Sequence, residues 1–119
     1  MAKINITRGE NKVFTIRAKD KNGDAFDLTN FDQVKVCLPL EGDSKLEVTE
    51  VANANGSVAE IQTPLSDGKI QVTLNYVDSE TLKVADGQNI GVILNNAATP
   101  NPKPQNGEGV LNVKPNPCA

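Results

Sequence analysis

Apolar and polar residues alternate along most of this chain with a period of two, which is the signature of strands with one buried face. In Lys12 to Lys19, Phe14, Ile16 and Ala18 share one face, and Thr15, Arg17 and Lys19 share the other. From Gln33 to Leu40, Val34, Val36, Leu38 and Leu40 point one way, while Lys35, Cys37 and Pro39 point the other. The same rhythm predicts strands at Lys3–Thr7 (Ile4 and Ile6 inward), Leu46–Val51 (Leu46 and Val48 inward) and Val58–Gln62. It recurs at Lys69–Tyr76, with Ile70, Val72, Leu74 and Tyr76 inward, and at Glu108–Lys114. In Gln88–Asn95 the stripe Ile90, Val92 and Leu94 is joined by Ile93, which stands on the outward side.

Turn chemistry separates these runs. Arg8-Gly9-Glu10-Asn11, Asn22-Gly23, Glu41-Gly42-Asp43-Ser44 and Asn53-Ala54-Asn55-Gly56 all carry residues that tolerate positive φ. Leu28 and Phe31, in the connector after the second strand, are predicted to plug one end of the fold. The one helical candidate is Asp78 to Ala85, capped by Asp78 or Ser79 and stopped by Asp86-Gly87. It is read as a short crossover. Segment 97–107 carries Pro100, Pro102 and Pro104 at alternate positions and is expected to be an extended, polyproline-like loop. About eight short strands with turns at this spacing predict an all-β sandwich or barrel. The expected organisation is one domain over residues 1–114 with a tail over 115–119, and no internal repeat.

Composition narrows the chemistry. The chain has 119 residues, no histidine and no tryptophan, so the commonest general base and metal ligand are missing. A serine hydrolase of the usual kind needs that histidine. The acids are scattered through turns and outward strand positions, and no glycine pattern for phosphate binding occurs. Net charge is −3 without a basic run, and aromatics are only 3% of residues, which argues against nucleic-acid binding. No apolar run is long enough to cross a membrane as a helix, and the N-terminal residues have no signal-peptide core. No catalytic residue, cofactor or metal is therefore expected.

Asp20, Asp24 and Asp27 lie in an oxygen-rich stretch with a remote likeness to a calcium loop. Ala25 stands where such a loop needs glycine, and the flanks are strands, so a hairpin is the preferred reading. Asn5-Ile6-Thr7 and Asn55-Gly56-Ser57 fit the glycosylation pattern, which lacks meaning without export. Cys37 and Cys118 are read as free thiols in preference to a disulfide, with Cys37 half-exposed or at an interface. Ile93 and Val110 on outward positions, the prolines of the long loop and the tail residues Pro115 and Pro117 form the candidate contact set. For the loop, a docking surface and an ordinary hairpin loop that covers Ile93 and Val110 are both open readings.

The order of motifs carries a resemblance. Arg8-Gly9-Glu10-Asn11 leads into Val13-Phe14-Thr15-Ile16, followed by Asp20-Lys21-Asn22-Gly23-Asp24 and Phe26-Asp27-Leu28-Thr29. Later come Gly68-Lys69-Ile70, Ser79-Glu80-Thr81-Leu82 and Asp86-Gly87. The chain resembles the immunoglobulin-like β-sandwich of tailed-bacteriophage virion proteins. It is similar in particular to the N-terminal domain of upper baseplate proteins. Glu10 and Asn30 depart from that pattern, which has Asp and Gly there. The resemblance implies an immunoglobulin-like antiparallel sandwich of about seven to nine strands. It also implies a non-enzymatic structural or adaptor role, made in the host cytoplasm and carried in the virion. Capsid or tail proteins are the expected partners, and a homo-oligomer is a further expectation. A soluble carbohydrate- or ligand-binding sandwich is the alternative.

Overall fold

The predicted turns separate the strands, but only Glu41-Gly42-Asp43-Ser44 joins two that pair directly, Gln33–Pro39 and Lys45–Thr49; the others pass the chain between sheets or layers. The computed structural model describes residues 3–20, 22–100, 102–107 and 109–117. Its strands are β1 (Lys3–Thr7), β2 (Lys12–Lys19), β3 (Gln33–Pro39), β4 (Lys45–Thr49), β5 (Val58–Ile61), β6 (Lys69–Leu74), β7 (Ala85–Gln88), β8 (Gly91–Asn95), β9 (Lys103–Gly107) and β10 (Val110–Lys114). One short helix, α1 (Tyr76–Ser79), crosses between β6 and β7.

One layer is the antiparallel set β5–β6–β2, and the other is β4–β3–β8–β9. The layers join at one corner, where Ala18 and Lys19 at the end of β2 pair with Gly107 and Asn106 of β9. A second sheet has the order β1–β10–β7, with β1 parallel to β10 and β7 antiparallel to it. Because β8 pairs with β9 and β7 with β10, residues 85–114 form a long hairpin with a break in each arm. The fold is an all-β, immunoglobulin-like sandwich. The ten strands among the described residues exceed the expected count because those two breaks divide both arms of the last hairpin.

The core lies where the alternation puts it. Phe14, Ile16, Ala18, Ala59, Ile70, Val72 and Leu74 from one layer meet Val34, Val36, Leu38, Val48, Val92 and Leu94 from the other. A fully buried side chain such as Leu94 contributes about 1.5–3 kcal/mol through removal of apolar area from water. Leu28 is fully buried, and Phe26 and Phe31 pack on the cluster with their rings 5.6 Å apart, closing one end.

Several boundaries differ from the sequence reading, four of them in ways that change the picture. The strand predicted to end at Tyr76 ends at Leu74, because Asn75 caps α1 by accepting the Val77 N–H. Tyr76 is consequently exposed and not inward; its N–H donates to Asn11 Oδ1 at 2.8 Å. The helix therefore begins two residues before the predicted segment and overlaps it only at Asp78 and Ser79, which are buried within it and do not cap it. Asp86 and Gly87, read as a helix stop, lie in β7. Finally, the proline-rich loop is largely β9 from Lys103 onward, with Ile93 opposite Pro104. Proline is compatible with that position because β9 reaches β2 only through Asn106 and Gly107 and so is an edge strand over its first half.

Candidate docking face

The outer face of β4–β3–β8–β9 gathers residues that the sequence left scattered. Strand pairing places Gln33 beside Asn95, Lys35 between Thr49 and Ile93, and Cys37 between Glu47 and Gly91. Asn95 Nδ2 donates to Gln33 Oε1 at 3.1 Å, and Lys35 Nζ lies 3.1 Å from a Glu47 carboxylate oxygen. Both charges of that pair are substantially exposed, so it organises the face more than it stabilises the fold. A shallow cleft of about 280 Å³ lies across this face, lined by Gln33, Val34, Lys35, Thr49, Glu50, Ile93, Asn95 and Pro102. Val34, Ile93 and Pro102 are its apolar elements, and the other lining residues are polar or charged.

Cys37 sits beside this cleft and is half-buried. Burial pushes its thiol pKa up, and the Glu47 carboxylate adds to the effect, while Lys35 and Lys45 partly oppose it. The thiol is thus held protonated at neutral pH and is a poor nucleophile there. Its predicted partner in the alternative disulfide, Cys118, lies outside the described residues.

The remaining candidates fall elsewhere. Pro100 is exposed in the turn between β8 and β9. Val110 is half-buried and pairs with Lys3 in the other sheet, so it does not join Ile93. Pro115 lines a separate cleft of about 430 Å³ with Arg8, Glu80 and Asn116, and Pro117 is exposed nearby along the chain. There the Arg8 guanidinium donates to the Glu80 carbonyl from Nε at 2.7 Å and also from Nη2. The Asp20, Asp24 and Asp27 stretch is turn architecture. Asp20 Oδ1 accepts the N–H groups of Asn22 and Asp24, and Asp27 Oδ1 accepts the hydroxyl and N–H of Thr29. The Thr29 hydroxyl, and then its N–H, hold the Asp27 carboxyl below its ordinary pKa. Among the described residues no group of three potential metal-ligating side chains converges, and no helix is long and apolar enough to span a membrane.

Sequence reasoning missed two features. Gln33, Thr49, Glu50 and Asn95 are cleft residues; the outward positions of Gln33, Thr49 and Asn95 were readable, but Glu50, in phase with inward Leu46 and Val48, and the adjacency of β3 to β8 were not. The second feature is a buried carboxylate. Asp78 Oδ2 accepts Ser57 Oγ–H at 2.5 Å and Asn53 Nδ2–H at 2.8 Å, and its Oδ1 accepts Asn55 Nδ2–H at 2.9 Å. Burial works to raise its pKa, but the hydrogen bonds from Ser57, Asn53 and Asn55 outweigh burial, and the net shift is downward. This network ties the β4–β5 turn to α1. Comparison of the chain with protein-family models gives no match, and no curated protein compared with it is similar.

Proposed function

We propose that this protein is a non-enzymatic structural or adaptor component of a tailed-phage particle that docks onto other virion proteins. It would serve either as a head decoration or as a tail adaptor. The observation that carries the reading is the outer face of β4–β3–β8–β9. There Cys37 and Ile93, both singled out as contact candidates from sequence, lie on adjacent strands, and Pro102, a third candidate just before β9, joins Ile93 in a cleft that mixes apolar and polar residues. Such a mixture of apolar and polar groups supports a protein-binding role. The motif order from Arg8 to Thr29, together with the immunoglobulin-like sandwich, supports the virion setting. A glycan-binding role finds no aromatic platform here: Phe14 is in the core, Phe26 and Phe31 pack on it, and exposed Tyr76 lies on α1, away from the cleft.

The test is proteomics of purified particles, followed by replacement of Ile93 with Glu. The protein is expected in the particles, and I93E is expected to weaken capture of its virion partner about thirtyfold or more, the scale of losing an interface anchor. Thermal stability should change little, because Ile93 is outside the core cluster. Absence of the protein from purified particles would overturn the proposal.

A further inference from the structure

Two turns at different places in the chain share one design. In the first, Asp20 N–H donates to Asp24 O at 2.9 Å, and Gly23 N–H donates to Asp20 O at 3.0 Å. Asp20 Oδ1 accepts the N–H groups of Asn22 at 2.8 Å and Asp24 at 3.0 Å. In the second, Asn53 N–H donates to Ser57 O at 3.0 Å, and Gly56 N–H donates to Asn53 O at 2.9 Å. Asn53 Oδ1 accepts the N–H groups of Asn55 at 2.9 Å and Ser57 at 3.0 Å. Every bond in one turn has its counterpart in the other. Both turns place an asparagine directly before a glycine, and both asparagines are solvent-exposed.

The turns differ at the asparagine carboxamide. Asn55 Nδ2 donates to buried Asp78 at 2.9 Å. The Asn22 carboxamide makes no hydrogen bond among the described residues. Asparagine is chemically labile, and most so before glycine, where no side chain hinders the next backbone nitrogen. In that reaction the glycine nitrogen attacks the asparagine Cγ. The N–Cγ bond forms, the Cγ–Nδ2 bond breaks, and the amide proton passes through solvent to the departing nitrogen, which leaves as ammonia. Water then opens the cyclic imide at either carbonyl, giving aspartate or isoaspartate. No electrons are exchanged, and water is the only co-reactant.

We infer that Asn22 is a spontaneous deamidation site of the folded protein, and that Asp78 protects the equivalent Asn55 by holding its carboxamide. To react, Asn55 must first release a hydrogen bond to a carboxylate, whereas Asn22 has no such bond among the described residues. The backbone bonds that must also yield, from Gly23 and Gly56, are matched. The third Asn-Gly pair, Asn106-Gly107, has its backbone held in β9 against β8 and β2. Conversion at Asn22 adds a negative charge beside Asp20 and Asp24, so the end of the sandwich at this turn becomes more acidic as the protein ages.

The test incubates the folded protein in mildly alkaline buffer made with oxygen-18 water, with conversion at each site read by peptide mass spectrometry. Asn22 is expected to convert about tenfold or more faster than Asn55, the scale set by one hydrogen bond to a charged acceptor. In guanidinium, where both turns are unfolded, the two rates should become comparable. In D78A, Asn55 should approach the rate of Asn22. Equal rates in the folded protein, a ratio that survives unfolding, or an Asn55 still protected in folded D78A would each overturn the inference. Should D78A not fold, the unfolded wild type decides whether the difference belongs to the fold.

Discussion

Gly68 is the position where a single methyl group should do most damage. It caps the 3-10 turn Leu65–Asp67 in the left-handed region, at φ 66°, and its carbonyl accepts the Ala18 N–H at 2.8 Å. A Cβ here would lie 2.7 Å from Phe26 O, 2.9 Å from Ala18 O and 3.1 Å from Phe26 N. All three are backbone atoms, so no side chain can swing away. Two of them, Phe26 N and Ala18 O, are hydrogen-bonded to each other at 2.9 Å, and the methyl group would press directly on that bond. Replacement by Ala therefore combines a left-handed conformation for a residue with a Cβ, about 1–2 kcal/mol, with overpacking of about 1–3 kcal/mol. The expected loss for G68A is about 3 kcal/mol, a large part of the roughly 5–15 kcal/mol that stabilises a domain. Gly42 provides the control: its φ is 75°, but a Cβ there meets nothing within 4 Å. G42A should cost only the conformational part, about 1–2 kcal/mol. Urea unfolding midpoints at constant slope read the difference. If G68A is no less stable than G42A, the contact argument is wrong.

Two further predictions concern titratable groups. Replacing Asp78 with Asn leaves donors from Ser57, Asn53 and Asn55 facing one acceptor oxygen and an amide, and should cost about 2–3 kcal/mol at neutral pH. The pKa of Asp78 is depressed in the folded state, so its contribution is present above the ordinary aspartate pKa and lost as pH falls through the folded value; the wild-type advantage over D78N should therefore shrink in acid unfolding curves. Cys37 has a raised pKa, so iodoacetamide should modify it slowly at neutral pH and faster only above the ordinary thiol range; replacing Glu47 with Gln should move that onset downward, and an onset unchanged in E47Q would show that the carboxylate does not contribute.

How much of this was legible depended on the range of the physics involved. The strands β2, β3 and β6 were readable because each buries one face and exposes the other, so Ile16, Val36 and Ile70 announce themselves by spacing alone. The loss of alternation at Tyr76 was not, since it depends on Asn75 capping α1 and on Asn11, 65 residues earlier in the chain, accepting the Tyr76 N–H. The β9 strand was obscured by Pro104, a residue that weakens strand predictions unless the edge position of the strand is already known. The docking face shows the same limit. Cys37 and Ile93 each looked out of place on their own strands, but only the β3–β8 pairing puts them on one surface, whereas Val110, chosen by the same logic, falls on another sheet. Asp78 was misread as a cap because its partners, Asn53, Asn55 and Ser57, come from a turn more than twenty residues upstream.

The parallel pairing of β1 with β10 has a mechanical consequence. Residues Lys3–Thr7 run alongside Val110–Lys114 in the same direction, in register. Tension applied to the chain before β1 and after β10 pulls these neighbours past one another lengthwise. Their hydrogen bonds then bear the load together and do not open one by one as in a peeled hairpin. Resistance to such a pull is set by the rate of crossing an unfolding barrier and not by equilibrium stability. The sandwich is thus closed by a shear clasp, and the force needed to open it should depend strongly on whether the chain is gripped at its two ends or at one end and the β3–β4 turn.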